Sequence, residues 1–143
     1  MLLSRVTNFR NFGLLILRTG IGIMFIYHGW PKISGGPVKW EMLGKVMGIF
    51  SITFAPMFWG FMAAFSEFFG GILLAVGLFT REMAVLMTIT MIVAAGMHLN
   101  KGDGLFGSAH AIELAILFFS FIFIGAGKYS LDETIRPLKN KWE

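Results

Sequence analysis

The segment MFWGFMAAFSEFFGGILLAVGLF, Met57 to Phe79, decides the fold. It holds a single ionisable side chain, Glu67, and about 20 mostly apolar residues are what a helix needs to cross a bilayer. The segment therefore predicts a membrane span. Working outward, three further stretches come close to this length: Phe12–Gly29, Met83–Leu99 and Ala109–Ala126. The last two are short, and would be completed by snorkelling flanks or a locally thinned bilayer. The composition agrees, with 56% hydrophobic and 14% charged residues and a mean hydropathy of +0.74. Sixteen Phe and ten Met are more apolar surface than a soluble chain of 143 residues could hide. The expected fold class is all-α, a membrane-spanning four-helix bundle forming one domain over residues 1–143, without internal repeats.

The basic lead, Arg5 and Arg10, followed by an apolar run has the look of a signal peptide. Arg18 interrupts that run and no small-x-small cleavage site follows it, so a retained first helix is expected. Between spans, Thr80–Glu82 reads as a tight turn and Asn100–Ser108 as a glycine-rich loop. Trp30–Pro56 is the one long connection. Within it, Pro31 and the Gly35-Gly36-Pro37 run break the chain, and Val38–Phe50 reads as a short amphipathic helix. Val38, Met42, Val46, Ile49 and Phe50 form its apolar stripe, which should rest on the membrane surface with Trp40 at headgroup level.

The net charge of +4 does not indicate nucleic acid, because the cations sit at the ends of apolar runs and form no stripe. An even number of spans puts both termini and the Thr80–Glu82 turn on one side. That side carries Arg5, Arg10, Arg81, Lys128, Arg136, Lys139 and Lys141, against Lys32, Lys39, Lys45 and Lys101 opposite. The positive-inside rule then places both termini in the cytoplasm. Cysteine is absent, which excludes a disulfide, a thiol redox centre and thiolate metal ligation.

An ionisable group within a span is a functional candidate, because leaving it unmatched in hydrocarbon costs several kcal/mol. Arg18, Glu67 and Glu113 qualify. Gly60, Ala63, Ala64, Gly70, Gly71 and Gly77 fall at helical intervals around Glu67, so it faces a neighbouring helix. An Arg18–Glu67 ion pair is expected there, serving either as a register device or as a proton- or ligand-handling pair. At the other end, His28, His98 and His110 close or open three different helices, and Glu113 shares a face with His110. Three readings are open. The histidines can simply bond backbone and headgroups; they can form with Glu113 a pocket for a quinone-type headgroup; or they can ligate a metal, for which a single reversed His-x-x-Glu spacing is weak support. Phosphate-binding, dinucleotide and nucleophile-elbow motifs are absent.

Several motifs in order resemble the DoxX family of small membrane proteins over nearly the whole chain. They are His28-Gly29-Trp30-Pro31-Lys32, Glu67-Phe68-Phe69-Gly70-Gly71 running to Gly77-Leu78-Phe79-Thr80-Arg81, Met91–His98 with Lys101-Gly102-Asp103-Gly104, and Tyr129-Ser130-Leu131-Asp132. The resemblance implies a four-helix membrane protein associated with quinol oxidase subunits or membrane oxidoreductase complexes. His28, Lys32, Glu67, Arg81, His98 and Lys101 match its pattern.

The expected function is a redox-associated accessory protein of a bacterial-type inner (plasma) membrane, with a quinone as the expected cofactor. Its expected ligand-binding residues are Arg18, His28, Lys32, Glu67, His98, Lys101, His110 and Glu113. If it is an enzyme, it is as a subunit of an oxidoreductase complex. A non-catalytic assembly subunit is the alternative, and a small transporter or channel lined by Arg18, Glu67 and Glu113 is a third reading. The expected partners are the lipid bilayer, oxidoreductase subunits and a second copy of the chain, with no nucleic acid.

Overall fold

Each apolar run folds as a helix in the structure, a computed structural model that describes residues 9–135. Helices α1 (Arg10–Ile33), α3 (Pro56–Val76), α4 (Thr80–Asn100) and α5 (Gly104–Ile124) are long and apolar enough to cross a membrane. At ~1.5 Å per residue, 21 residues reach about 31 Å, a full hydrocarbon thickness. A short helix α2 (Gly36–Gly44) runs into a 3₁₀ segment (Lys45–Phe50), and α6 (Leu131–Ile135) follows the last span. No strand occurs among the described residues.

The boundaries correct three expectations. α1 does not stop at Gly29 but continues through Pro31 to Ile33. Proline in a last turn removes only one bond to the preceding turn, so the helix survives it. The tight turn lies at 77–79, not at Thr80–Glu82, because Gly77 takes a left-handed φ of 71° and Thr80 already opens α4. The loop after α4 shrinks to 101–103 because α5 starts at Gly104, which gives both late spans full length.

Lipid, the solvent around the spans, inverts the usual distribution of side chains. Phe106 and Phe123 point outward, whereas the largest fully buried side chain is that of Arg18. Apolar helices gain nothing by leaving lipid for one another, so close packing must hold them together. α1 and α3 achieve it through glycines. A β-carbon on Gly22 would lie 2.6 Å from the Gly71 carbonyl oxygen, and one on Gly29 would collide with the Phe68 amide. These contacts fix an antiparallel register in which Gly29 faces Glu67 and Phe68 while Gly22 faces Gly71 and Ala75. Leu14, Phe25, Leu74, Met87, Met91, Phe118 and Phe121 fill the core.

α2 lies across the start of α3, where Gly44 meets Pro56 and Gly60 meets Trp40 backbone to backbone. Of the expected apolar stripe, Val38 and Met42 on α2 and Phe50 on the 3₁₀ segment are exposed, while Val46 and Ile49 are half-buried. Trp40 is a correction: it turns inward, donating from Nε1 to the Lys32 carbonyl at 3.0 Å and stacking edge-on against Phe61. The end of the bundle with α2 and Lys101–Asp103 is the distal end. The terminal end holds the start of α1 and residues 125–135, where the Lys128 amide donates to Asn11 Oδ1 at 3.1 Å.

Candidate functional site

The charged residues occupy two separate sites, and Arg18 and Glu67 belong to different ones. The helix register explains why the expected Arg18–Glu67 pair does not form. Glu67 packs opposite Gly29, which is 11 residues and about 16 Å along α1 from Arg18, beyond the reach of an arginine. The partner Glu67 does find is Lys32, one turn past Gly29 on the extended end of α1. Lys32 Nζ donates to both carboxylate oxygens, at 2.7 Å and 2.5 Å. The Glu67 side chain is 5% exposed and that of Lys32 31%, so the pair is buried on one side and opens toward the distal surface. Trp40, bonded to the Lys32 carbonyl, ties α2 to this pair.

Arg18 instead closes the terminal end. Its guanidinium donates to the carbonyls of Ala75 at 2.7 Å and Leu74 at 3.4 Å, and to the Tyr129 carbonyl. Leu74 and Ala75 lie in the last turn of α3, where carbonyls run short of helical partners and the helix dipole is negative, although Leu74 also accepts from the Gly77 amide at 3.1 Å. A cation is well placed there without a carboxylate. Asp132 completes the arrangement from the opposite polarity: its two oxygens accept from the amides of Phe79 at 2.8 Å and Thr80 at 2.9 Å, at the start of α4. Its own amide donates to the Gly77 carbonyl at 2.8 Å. The α3–α4 turn is thus clamped by a cation on its carbonyl side and an anion on its amide side. Asp132 ends the Tyr129–Asp132 motif, but nothing in the sequence shows that its carboxylate reaches the start of α4.

The three histidines do not converge. His28 faces outward on α1, with its ring edge-on to Tyr27. His98 Nδ1 lies 2.8 Å from Asp103 Oδ2, a contact made within the α4–α5 connection. His110 and Glu113 are both on the exposed side of α5. Among the described residues no three His, Asp or Glu side chains come together as a metal-binding group. Arg18 and Glu67 stand far apart along the bundle and Glu113 faces outward, so the three do not line one path.

What the distal end does form is a groove of about 430 Å³ between the 3₁₀ segment and the end of α4. Met42, Leu43, Val46, Ile49 and Met97 make its apolar walls, and Lys45, Asn100 and Lys101 its polar rim. Lys45 also meets Glu41 at 3.1 Å on the exposed side of its helix, a weak surface pair. The walls close together because Gly96 lets the Phe50 and Ile49 side chains approach α4. Of the expected site residues only Lys101 lines this groove. Lys45 and Asn100 were not singled out, because their meeting depends on how the 3₁₀ segment folds back.

Four apolar spans, an interfacial helix and buried charges held at opposite ends define a small polytopic membrane protein. The DoxX family model matches residues 13–99, and the chain belongs to that family. It is 33% identical over 136 residues to an uncharacterized protein of Haemophilus influenzae, covering 91% of this chain and 96% of that one. It is 30% identical to the "Inner membrane protein YqjF" of Escherichia coli over 91% of this chain and 95% of that one. A Bacillus subtilis protein named "Putative oxidoreductase CatD" is 38% identical over 82 residues, 57% of this chain and 56% of that one. No solved structure matches the chain significantly.

Proposed function

We propose that this protein is an accessory component of a membrane redox system that holds a quinone-type molecule at its distal end. The observation that carries the reading is the distal groove, whose apolar walls suit a ring and its tail. Lys45, Asn100 and Lys101 offer hydrogen-bond donors to carbonyl oxygens at its rim. The volume falls within the range of small-molecule sites. The buried Lys32–Glu67 pair anchors α2 through Trp40 and so holds one wall in place. The oxidoreductase name of one relative agrees with a redox setting.

The same proposal places the protein in a bacterial inner membrane, in line with the name of the Escherichia coli relative, with both termini cytoplasmic and the distal end outside. Arg5, Arg136, Lys139 and Lys141, which supply the cationic excess, lie outside the described residues. An assembly subunit is the rival reading, favoured by partners from the chain itself for both terminal nitrogens of Arg18 and both carboxylate oxygens of Glu67 and of Asp132.

Titration of the protein in lipid nanodiscs with a short-tailed benzoquinone or naphthoquinone tests the reading. Saturable binding, weakened at least several-fold in the Lys45→Ala/Lys101→Ala double variant and unchanged in His110→Ala, is expected. Absence of saturable binding, or binding indifferent to the two lysines, overturns it. Co-purification with an oxidase or reductase and no quinone binding establishes the rival.

A further inference from the structure

We infer that the exposed side of α5 is a two-fold interface with a second copy of this chain. Glu113 is the observation that demands an occupant. It lies nine residues, about 14 Å, into a helix of 21 residues, close to the middle of the hydrocarbon layer, and it faces outward. A carboxylate left in lipid at that depth is costly. Arg18 and Glu67, the other charges set well back from the helix ends, are buried and bonded, Arg18 to backbone carbonyls and Glu67 to Lys32. Glu113 has no hydrogen-bond or ion-pair partner among the described residues, and neither does His110, one turn toward the distal end.

The face around them is continuous. Phe106, His110, Glu113, Ile116, Ser120 and Ile124 follow one another at three- and four-residue steps along the outward side of α5. Phe106 is 97% exposed and Ile116 63%. The only hydrogen bond of the Ser120 hydroxyl among the described residues is to the Ile116 carbonyl of its own helix, at 2.8 Å. The stripe therefore carries a carboxyl and an imidazole with no polar partner among the described residues, and a half-buried hydroxyl bonded only within its own helix.

Membrane geometry selects the occupant. Two copies inserted the same way round can be related only by an axis along the membrane normal, so their α5 helices run parallel with equal depths facing each other. His110 of one copy then lies only three residues, about 4.5 Å of rise, from the level of Glu113 of the other, within side-chain reach. Symmetry makes that contact twice. A stripe holding both members of the pair is complementary to itself, whereas a foreign helix would have to bring its own polar partner for Glu113 to mid-membrane depth.

The chain has no cysteine, so single cysteines report the interface directly. Ile116→Cys and Ser120→Cys lie on the stripe; Ile92→Cys on α4 and Ile23→Cys on α1, at 53% and 56% exposure, are controls about as accessible as Ile116 and more accessible than the half-buried Ser120. Oxidation in membrane vesicles is expected to give disulfide-linked dimers at Ile116→Cys and Ser120→Cys and little at the controls. Photobleaching in dilute liposomes is expected to show dimers in the native chain and roughly tenfold or greater weakening in Glu113→Leu. Because Glu113 points outward, that variant should retain its fold, and its circular dichroism checks this. Equal cross-linking at all four positions, single-step photobleaching of the native chain, or adducts from the stripe only to a different protein overturn the inference.

Discussion

Replacing Lys32 with methionine removes the cation from a carboxylate that is 5% exposed, and both oxygens of Glu67 lose their bonds at 2.7 Å and 2.5 Å together. Removing one partner of a fully buried pair costs about 3–5 kcal/mol. Lys32 is 31% exposed, so headgroups and water reach the pair, and we expect about 2–4 kcal/mol. Glu67→Gln should cost less, about 1–2 kcal/mol, because Lys32 sits in the last turn of α1 and its ammonium can snorkel to the interface. The Lys32→Met/Glu67→Gln double variant should regain part of the loss, with a coupling of about 1–3 kcal/mol. Arg18→Gln and Glu67→Gln should instead add independently, since the register holds those residues about 16 Å apart along the bundle. Reversible unfolding in mixed detergent micelles, followed by circular dichroism, measures each value. A loss below about 0.5 kcal/mol for Lys32→Met, or coupling of Glu67 to Arg18 rather than to Lys32, would refute the register and the pairing derived from it.

Asp132→Ala removes two acceptors from the start of α4 and should cost about 1–2 kcal/mol; faster hydrogen exchange at the Phe79 and Thr80 amides localises the effect. Gly22→Leu cannot be accommodated 2.6 Å from the Gly71 carbonyl, so α1 and α3 must separate; loss of folded protein in a detergent melt checks it. Trp40→Phe keeps the ring against Phe61 but deletes the bond to the Lys32 carbonyl, at about 1 kcal/mol, read in the same unfolding assay.

The spans were legible because a bilayer imposes length and apolarity on each one separately, and Met57–Phe79 needs no tertiary information to be read. The small residues around Glu67 were legible as a packing face for the same reason, as helical spacing fixes which side chains share a side. The partner of Glu67 was not. It depended on α1 running past Pro31 and on an antiparallel register set by Gly22 and Gly29, both of which only the packed pair reveals. Arg18 misled because the strongest acceptors near it are backbone carbonyls at the end of α3, which every sequence has and no sequence displays. The histidines misled because sharing an end of the bundle does not imply sharing a pocket. His28 and His110 face away from the interior, whereas the polar rim of the distal groove joins Lys101, which lies in a motif, to Lys45 and Asn100, which lie in none.

Photolabelling with an azido-quinone in native membrane vesicles, followed by peptide mapping, tests the proposed site most directly. Saturable labelling confined to Met42–Ile49 and Met97–Lys101, competed by unlabelled quinone, is the predicted result. Labelling spread over the lipid-exposed faces of the spans, or labelling that unlabelled quinone does not compete, would contradict a quinone site in the distal groove.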